Sequence, residues 1–135
     1  MKQIFFCALI LLTITGCAKR LPEDELALKR ERLEHYLTHA EITQSEMNIV
    51  SQNILELADM ERKLLEYRIA NQPNYDEIEE AFLEDCKAWN ERAEAESKKP
   101  SEYEGGSLAP TDYNMRMTGF IEERIQVLRT KWRQK

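Results

Sequence analysis

The stretch TQSEMNIVSQNILELADM, residues 43–60, opens with a polar capping pattern and continues with apolar residues at helical spacing. Thr43 and Glu46 stand three residues apart, as in a capping box, where the threonine caps the backbone and the glutamate reaches back to it. Apolar residues then recur every three or four positions: Met47, Val50, Ile54, Leu57, Ala58, Leu64 and Leu65. The pattern predicts an amphipathic helix that ends at about Ala70, before Gln72 and Pro73.

An earlier segment carries a helix signal of its own. Pro22 suits the first turn of a helix, where its missing N–H group is not needed. The acidic residues that follow it, Glu23, Asp24 and Glu25, suit the positive end of the helix dipole. This first helix is predicted to run to about Thr38.

Two more helices are predicted downstream. Asn74 and Glu77 form a second box that starts helix three, which stops at Lys98–Pro100, and Thr111 or Asp112 can cap helix four. The stripe of helix three is Ile78, Phe82, Cys86, Trp89 and Ala93, and that of helix four is Met117, Phe120, Ile121, Leu128 and Trp132. Because each helix has one apolar stripe and no strand pattern occurs, the sequence predicts an all-α fold, a small bundle of about four helices.

The N-terminus has the form of an export signal. After Lys2 comes an apolar run from Ile4 to Ile14, which is too short to span a bilayer because a spanning helix needs about 20 residues. The run ends in Ile14-Thr15-Gly16-Cys17, which resembles the bacterial lipobox, where the signal is cut before the cysteine and the thiol is acylated. An ordinary secretory signal and an uncleaved anchor are the alternatives.

Three regions follow from this interpretation: a lipoprotein signal peptide at 1–16, a lipidated tether at 17–21 and a helical domain at 22–135. Ala18, and not an aspartate, follows Cys17. By analogy with enterobacterial sorting, this favours attachment to the outer membrane, with the domain on the periplasmic face.

Composition narrows the classes of function. Charged residues make up 33% of the 135-residue chain and the formal net charge is −6, so nucleic acid is an unsuitable partner. Of the three cysteines, Cys7 leaves with the signal peptide and Cys17 carries lipid. Only Cys86 remains, so the mature chain cannot form an internal disulfide and depends on packing.

No catalytic or metal-binding constellation stands out. His35 and His39 could share a metal ion at i,i+4 spacing, but no third ligand accompanies them and surface histidines are the better interpretation. Cys86 lies on an apolar stripe, which favours a buried structural thiol over a nucleophile. The acidic side of helix three is interpreted as a solvated face: Asp76, Glu79, Glu80 and Glu84. We therefore predict no cofactor, no metal and no enzymatic activity.

The break between helices three and four is the segment EGGSLAP, residues 104–110. Adjacent glycines allow a positive φ and Pro110 suits a helix entry, so the segment fits a simple reversal between the two helices. It also fits an exposed loop that enters the cleft of a partner. In that case Tyr103 and Ser107 are the candidate direct contacts, with Glu102 and Glu104 at the rim. The sequence leaves both interpretations open.

Several of these segments together resemble a known family. TQSEMN at 43–48, Trp89 with Arg92, GGSLAP at 105–110 and Arg124 with Leu128 fall in the order and rough spacing of the LprI-like lysozyme-inhibitor domain. The resemblance covers about residues 39–130. It implies a small, helical, exported and often lipidated protein that is not an enzyme, and its named member is credited with inhibiting lysozyme.

The resemblance leads to a functional prediction. The chain is expected to bind a lysozyme or other muramidase and to block its glycan cleft sterically. Because many lysozymes are strongly basic, an acidic inhibitor would gain steered association. The alternative is a non-inhibitory lipoprotein of the cell envelope, such as an accessory or immunity protein of a secretion system.

The family also implies one spatial relation. Its members usually carry cysteines near the positions of His39, Val50, Glu96 or Ser97, and Arg116, and all of these cysteines are absent here. The family's pairing implies that Glu96 or Ser97 lies close to Arg116. If Glu96 is the counterpart, an ion pair with Arg116 is expected where the family has a disulfide.

Overall fold

The structure, a computed structural model, describes residues 22–39 and 43–132, except for the side chains of Pro22 and His39. Four helices follow one another: α1 (Pro22–His39), α2 (Gln44–Ala70), α3 (Tyr75–Ser97) and α4 (Ala109–Lys131). The predicted all-α class and the four helices are confirmed. Within the described part of the chain, no helix is both long enough and apolar enough to cross a bilayer.

The predicted capping box at the start of α2 is present. The Thr43 hydroxyl accepts a hydrogen bond from the Glu46 amide at 3.3 Å, and the Glu46 carboxylate accepts one from the Thr43 amide at 2.6 Å. The bond from the Thr43 amide is the main reason that the pKa of Glu46 lies below its usual value. Two otherwise unsatisfied backbone donors are paired in this way, so the local sequence sets where α2 begins.

The predicted caps of α3 and α4 are not formed as expected. Asn74 occupies the N-cap of α3, but its side chain makes no capping hydrogen bond there. Helix α4 begins at Ala109, two residues before Thr111, because Pro110 is accommodated within the first turn. The Asp112 carboxylate instead accepts a hydrogen bond from the Ser101 hydroxyl at 2.6 Å.

Helices α2 and α4 form the centre of the fold and run parallel. Asn114 of α4 donates a hydrogen bond to the Ser51 hydroxyl of α2 at 3.0 Å, and further along both helices Arg129 contacts Glu61. Helix α3 runs antiparallel to α4. Glu96, at the end of α3, contacts Arg116 in the first half of α4, and Phe82, in the first half of α3, packs on Trp132 just after α4 ends. A three-helix unit of α2, α3 and α4 results.

Two buried clusters form the core of this unit. The first contains Ala58, Trp89, Ile121 and Ile125, and the second contains Ile69, Phe82, Leu128 and Trp132. These residues include five of the ten predicted stripe residues of α3 and α4, and four more are partly buried and pack against the clusters: Ile78, Cys86, Ala93 and Phe120. Met47 is an exception, because its side chain is exposed although it was predicted to lie on the apolar stripe of α2.

Among the residues that the structure describes, the backbone of helix α1 comes close to α2 and not to α3 or α4. Leu26 is its buried hydrophobic residue, and three ion pairs join it to α2: Lys29 with Glu56, Arg30 with Glu61, and Glu23 with Arg68. Such exposed pairs stabilise a fold by only about 0–1 kcal/mol each. A groove lies between α1 and α4, and residues of both helices line it.

Candidate functional site

The segment between α3 and α4, residues 98–108, is a compact loop built from turns. Gly105 has φ +78°, a left-handed conformation that glycine adopts without a steric penalty. The Gly106 amide donates to the Tyr103 carbonyl at 2.8 Å, and the Glu104 amide donates to the Ser101 carbonyl at 3.2 Å. Turns of this kind give the loop a defined backbone.

Side chains from α2 and α4 fix this loop to the helical unit. The Ser107 carbonyl accepts hydrogen bonds from the side-chain amides of Gln44 at 3.3 Å and Asn48 at 3.4 Å. On the other side, Arg116 donates to the Lys99 carbonyl at 3.1 Å. In the sequence, Gln44 lies between the two capping-box residues Thr43 and Glu46, and this pattern did not predict its contact with the loop.

The predicted closeness of Glu96 or Ser97 to Arg116 is confirmed, and Glu96 is the counterpart. The Arg116 guanidinium donates to the Glu96 carboxylate at 3.1 Å and to the Glu96 carbonyl at 2.6 Å. Ser97 is not the counterpart, because its hydroxyl donates to the Glu94 carbonyl within α3. Hydrogen bonds from Lys99 and then Arg116 lower the pKa of Glu96. This pair holds the end of α3 against the start of α4.

The structure brings the predicted contact residues together on one surface. Tyr103 is 49% exposed, and Glu102, Glu104 and Ser107 are also exposed. These four residues line a shallow depression of about 310 Å³. Neither glutamate forms an ion pair with any residue that the structure describes. An aromatic ring therefore stands between two uncompensated negative charges on a well-anchored loop.

No protein-family model, no curated protein and no solved structure matches this chain. The resemblance to the LprI-like domain therefore stays a prediction that depends on the motifs themselves. Support for a functional proposal therefore comes from the contacts, burial and charges of the described residues.

The most strongly buried charge in the described residues is Arg124, which sequence analysis singled out only as part of the resemblance. Its side chain is 2% exposed and contacts Asp85 of α3 and, at 3.5 Å, Glu66 of α2. Its guanidinium also lies over the Trp89 ring, 5.7 Å from the centroid. Burial alone would raise the pKa of Asp85, but hydrogen bonds from Arg124 and Lys131 outweigh burial and lower it.

Cys86 lies beside this ion-pair network. Its thiol sulfur accepts a hydrogen bond from the Arg124 guanidinium at 3.2 Å, and the side chain is half-buried. Burial is the main reason that the pKa of the Cys86 thiol is raised. A nucleophilic cysteine needs a lowered pKa, so the environment favours the structural interpretation of this residue.

Two remaining predictions concern metal binding and lipidation. Among the described residues, no group of three or more His, Cys, Asp or Glu side chains could hold a metal ion. His35 lies exposed on α1, whereas the side chain of His39 lies outside the described residues. The predicted lipidation site, Cys17, also lies outside them.

Proposed function

We propose that this chain is a lipoprotein of the outer membrane, facing the periplasm, that binds a basic muramidase through the loop between α3 and α4 and blocks its glycan cleft. The observation that carries the proposal is the exposed Tyr103 between Glu102 and Glu104 on a loop that α2 and α4 both anchor. A large amphipathic ring on a rigid support is the usual form of an energetic anchor at protein interfaces.

The anchored backbone supports this role for a thermodynamic reason. A loop that is already ordered loses little conformational entropy when it binds, so more of the contact energy appears as affinity. The two glutamates would meet basic residues at the rim of the partner, where charges mainly raise the association rate. Inhibition would be steric and would need no chemical step by this chain.

Surface plasmon resonance against a chicken-type lysozyme and other basic muramidases tests the proposal. Tyr103→Ala is expected to raise the dissociation rate at least tenfold, equivalent to about 1.4 kcal/mol, because it removes the anchor. Glu102→Gln should chiefly slow association at low salt. Tyr67→Ala is the matched control, since Tyr67 is 65% exposed but lies near the end of α2, away from the loop.

Two results would contradict the proposal in different ways. If the wild-type chain bound no muramidase, inhibition would fail as the function, and a non-inhibitory role in the cell envelope would become the leading hypothesis. If it bound but Tyr103→Ala and Tyr67→Ala behaved alike, the contact surface would lie elsewhere, and the acidic face around Glu79, Glu80 and Glu84 would be tested next.

The proposed membrane anchor has a separate test. Mass spectrometry of the mature N-terminus is expected to show a diacylglyceryl group on Cys17, and Cys17→Ser should abolish it. An unmodified N-terminus at any other residue would refute the lipoprotein assignment without affecting the test of muramidase binding.

A further inference from the structure

A groove with an apolar floor lies between α1, α2 and α4. Its volume is about 680 Å³, within the range of about 300–1,000 Å³ that small-molecule sites occupy. The floor is formed by Leu26, Leu64, Leu65, Ile69 and Leu128. Along α2 and the turn that follows it, the lining extends from Glu61 to Gln72, roughly 16 Å at 1.5 Å per residue. That length matches an acyl chain in one leaflet, about half of a 30 Å hydrocarbon core.

The rim of the groove has an excess of positive charge at one end. Arg30 contacts the Glu61 carboxylate at 2.6 Å and Arg129 contacts the same carboxylate, so two guanidinium groups share one negative charge. At the other end, Arg68 is paired with Glu23 at 3.1 Å. In a chain of net charge −6, this local surplus of one positive charge is suited to a single carboxylate.

We propose that the groove binds a long-chain fatty acid, with its carboxylate at Arg30 and Arg129 and its aliphatic chain along Leu64 toward Ile69. One carboxylate completes the pairing of the two arginines, and the chain covers Leu64 and Leu65, the half-buried residues of the floor. Helix α1 forms one wall, and three ion pairs join it to α2 beside the buried Leu26.

This inference is independent of muramidase binding, because the groove and the α3–α4 loop share no residue. The proposed anchor would place the groove close to a source of acyl chains. Cys17 stands six positions before Glu23, so the connecting chain can span at most about 21 Å.

Quenching of tryptophan fluorescence by 9,10-dibromostearic acid tests the proposal. The full chain is used with Cys17→Ser, which cannot carry lipid at that residue, in phosphatidylcholine nanodiscs. Trp132 packs with Ile69 and Leu128 and reports on the groove. The expected result is saturable quenching at one fatty acid per chain.

Three variants locate the site on the groove. Arg129→Gln should weaken binding at least fivefold, and Leu64→Asp should abolish saturable quenching. Arg92→Gln removes an exposed arginine of α3 outside the groove and should leave binding unchanged. Circular dichroism checks that each variant keeps its helical content.

The methyl ester of the same brominated acid provides a comparison that needs no variant. It should bind at least fivefold more weakly, because it lacks the carboxylate that the arginines would hold. Equal binding of ester and acid would overturn the proposal, as would unsaturable quenching or equal titrations of Arg129→Gln and Arg92→Gln. These outcomes would indicate simple partition into the lipid.

Discussion

Replacing Arg124 by methionine is expected to lower the free energy of unfolding by about 3 kcal/mol. Methionine keeps much of the aliphatic volume but removes the guanidinium that contacts Asp85, Glu66 and the Cys86 sulfur. A hydrogen bond to a charged group contributes about 1.5–3 kcal/mol, and breaking a buried ion pair costs about 3–5 kcal/mol because it strands a charge.

The lower end of that range applies to Arg124 because both of its carboxylate partners keep other hydrogen bonds or ion pairs after the substitution. Asp85 keeps hydrogen bonds from Lys131 and from the Trp132 indole, and Glu66 keeps its ion pair with Arg62. The two carboxylates are also 21% and 22% exposed, so water screens part of the stranded charge. A loss of about 3 kcal/mol is still a large fraction of the ~5–15 kcal/mol that stabilises a typical domain.

Urea unfolding of the 22–135 domain, followed by far-UV circular dichroism, measures the loss. Arg129→Met is the matched control: it makes the same replacement on α4 at a side chain that is 47% exposed and paired with Glu61, so it should cost less than about 1 kcal/mol. If the two variants lost the same free energy, or if Arg124→Met lost less than about 1 kcal/mol, the interpretation of Arg124 as the central charge of the core would be wrong.

Three further predictions use the same domain. Gly105→Ala should lower the free energy of unfolding by about 1 kcal/mol because Gly105 has φ +78°. Gly119→Ala, in open space on α4, should raise the free energy of unfolding by about 0.5–1 kcal/mol. If urea unfolding gave the two variants equal stability, the loop geometry would be contradicted. The folded pKa of Asp85 is lowered, so its stabilising effect is present above about pH 4 and is lost as pH falls through the folded pKa. Asp85→Asn should therefore reduce the difference in thermal stability between pH 7 and pH 3, and an unchanged difference would refute this role. Thr43→Ala should cost about 1 kcal/mol and Thr43→Ser much less, by thermal melting; equal losses would mean that the hydroxyl is not the cap.

The sequence by itself determined the all-α class, the four helices and the start of α2. Each of these depends on interactions between residues that are close along the chain, such as the reciprocal bonds of Thr43 and Glu46. The N-cap of α4 is Leu108, three or four residues before the predicted Thr111 or Asp112, which have the chemistry of caps but bind Asn48 and Ser101 instead. A local pattern cannot show that a distant side chain will compete for the same group.

The candidate loop was predicted in part. The adjacent glycines and the exposed residues around Tyr103 could be read from the sequence, and the resemblance implied that Glu96 or Ser97 lies close to Arg116, but the structure decided for Glu96. The anchoring of the Ser107 carbonyl by Gln44 and Asn48 could not, because those residues lie about 60 positions away.

Only the tertiary structure decided how the helices pair. The parallel contact of α2 with α4, the burial of Arg124 between Asp85 and Glu66, and the groove left beside α1 all depend on which apolar stripes meet. Periodicity identifies the face that a helix buries, but stripes of similar composition can pack on several neighbours. The choice among them depends on charges and side-chain volumes that come together only in the folded chain.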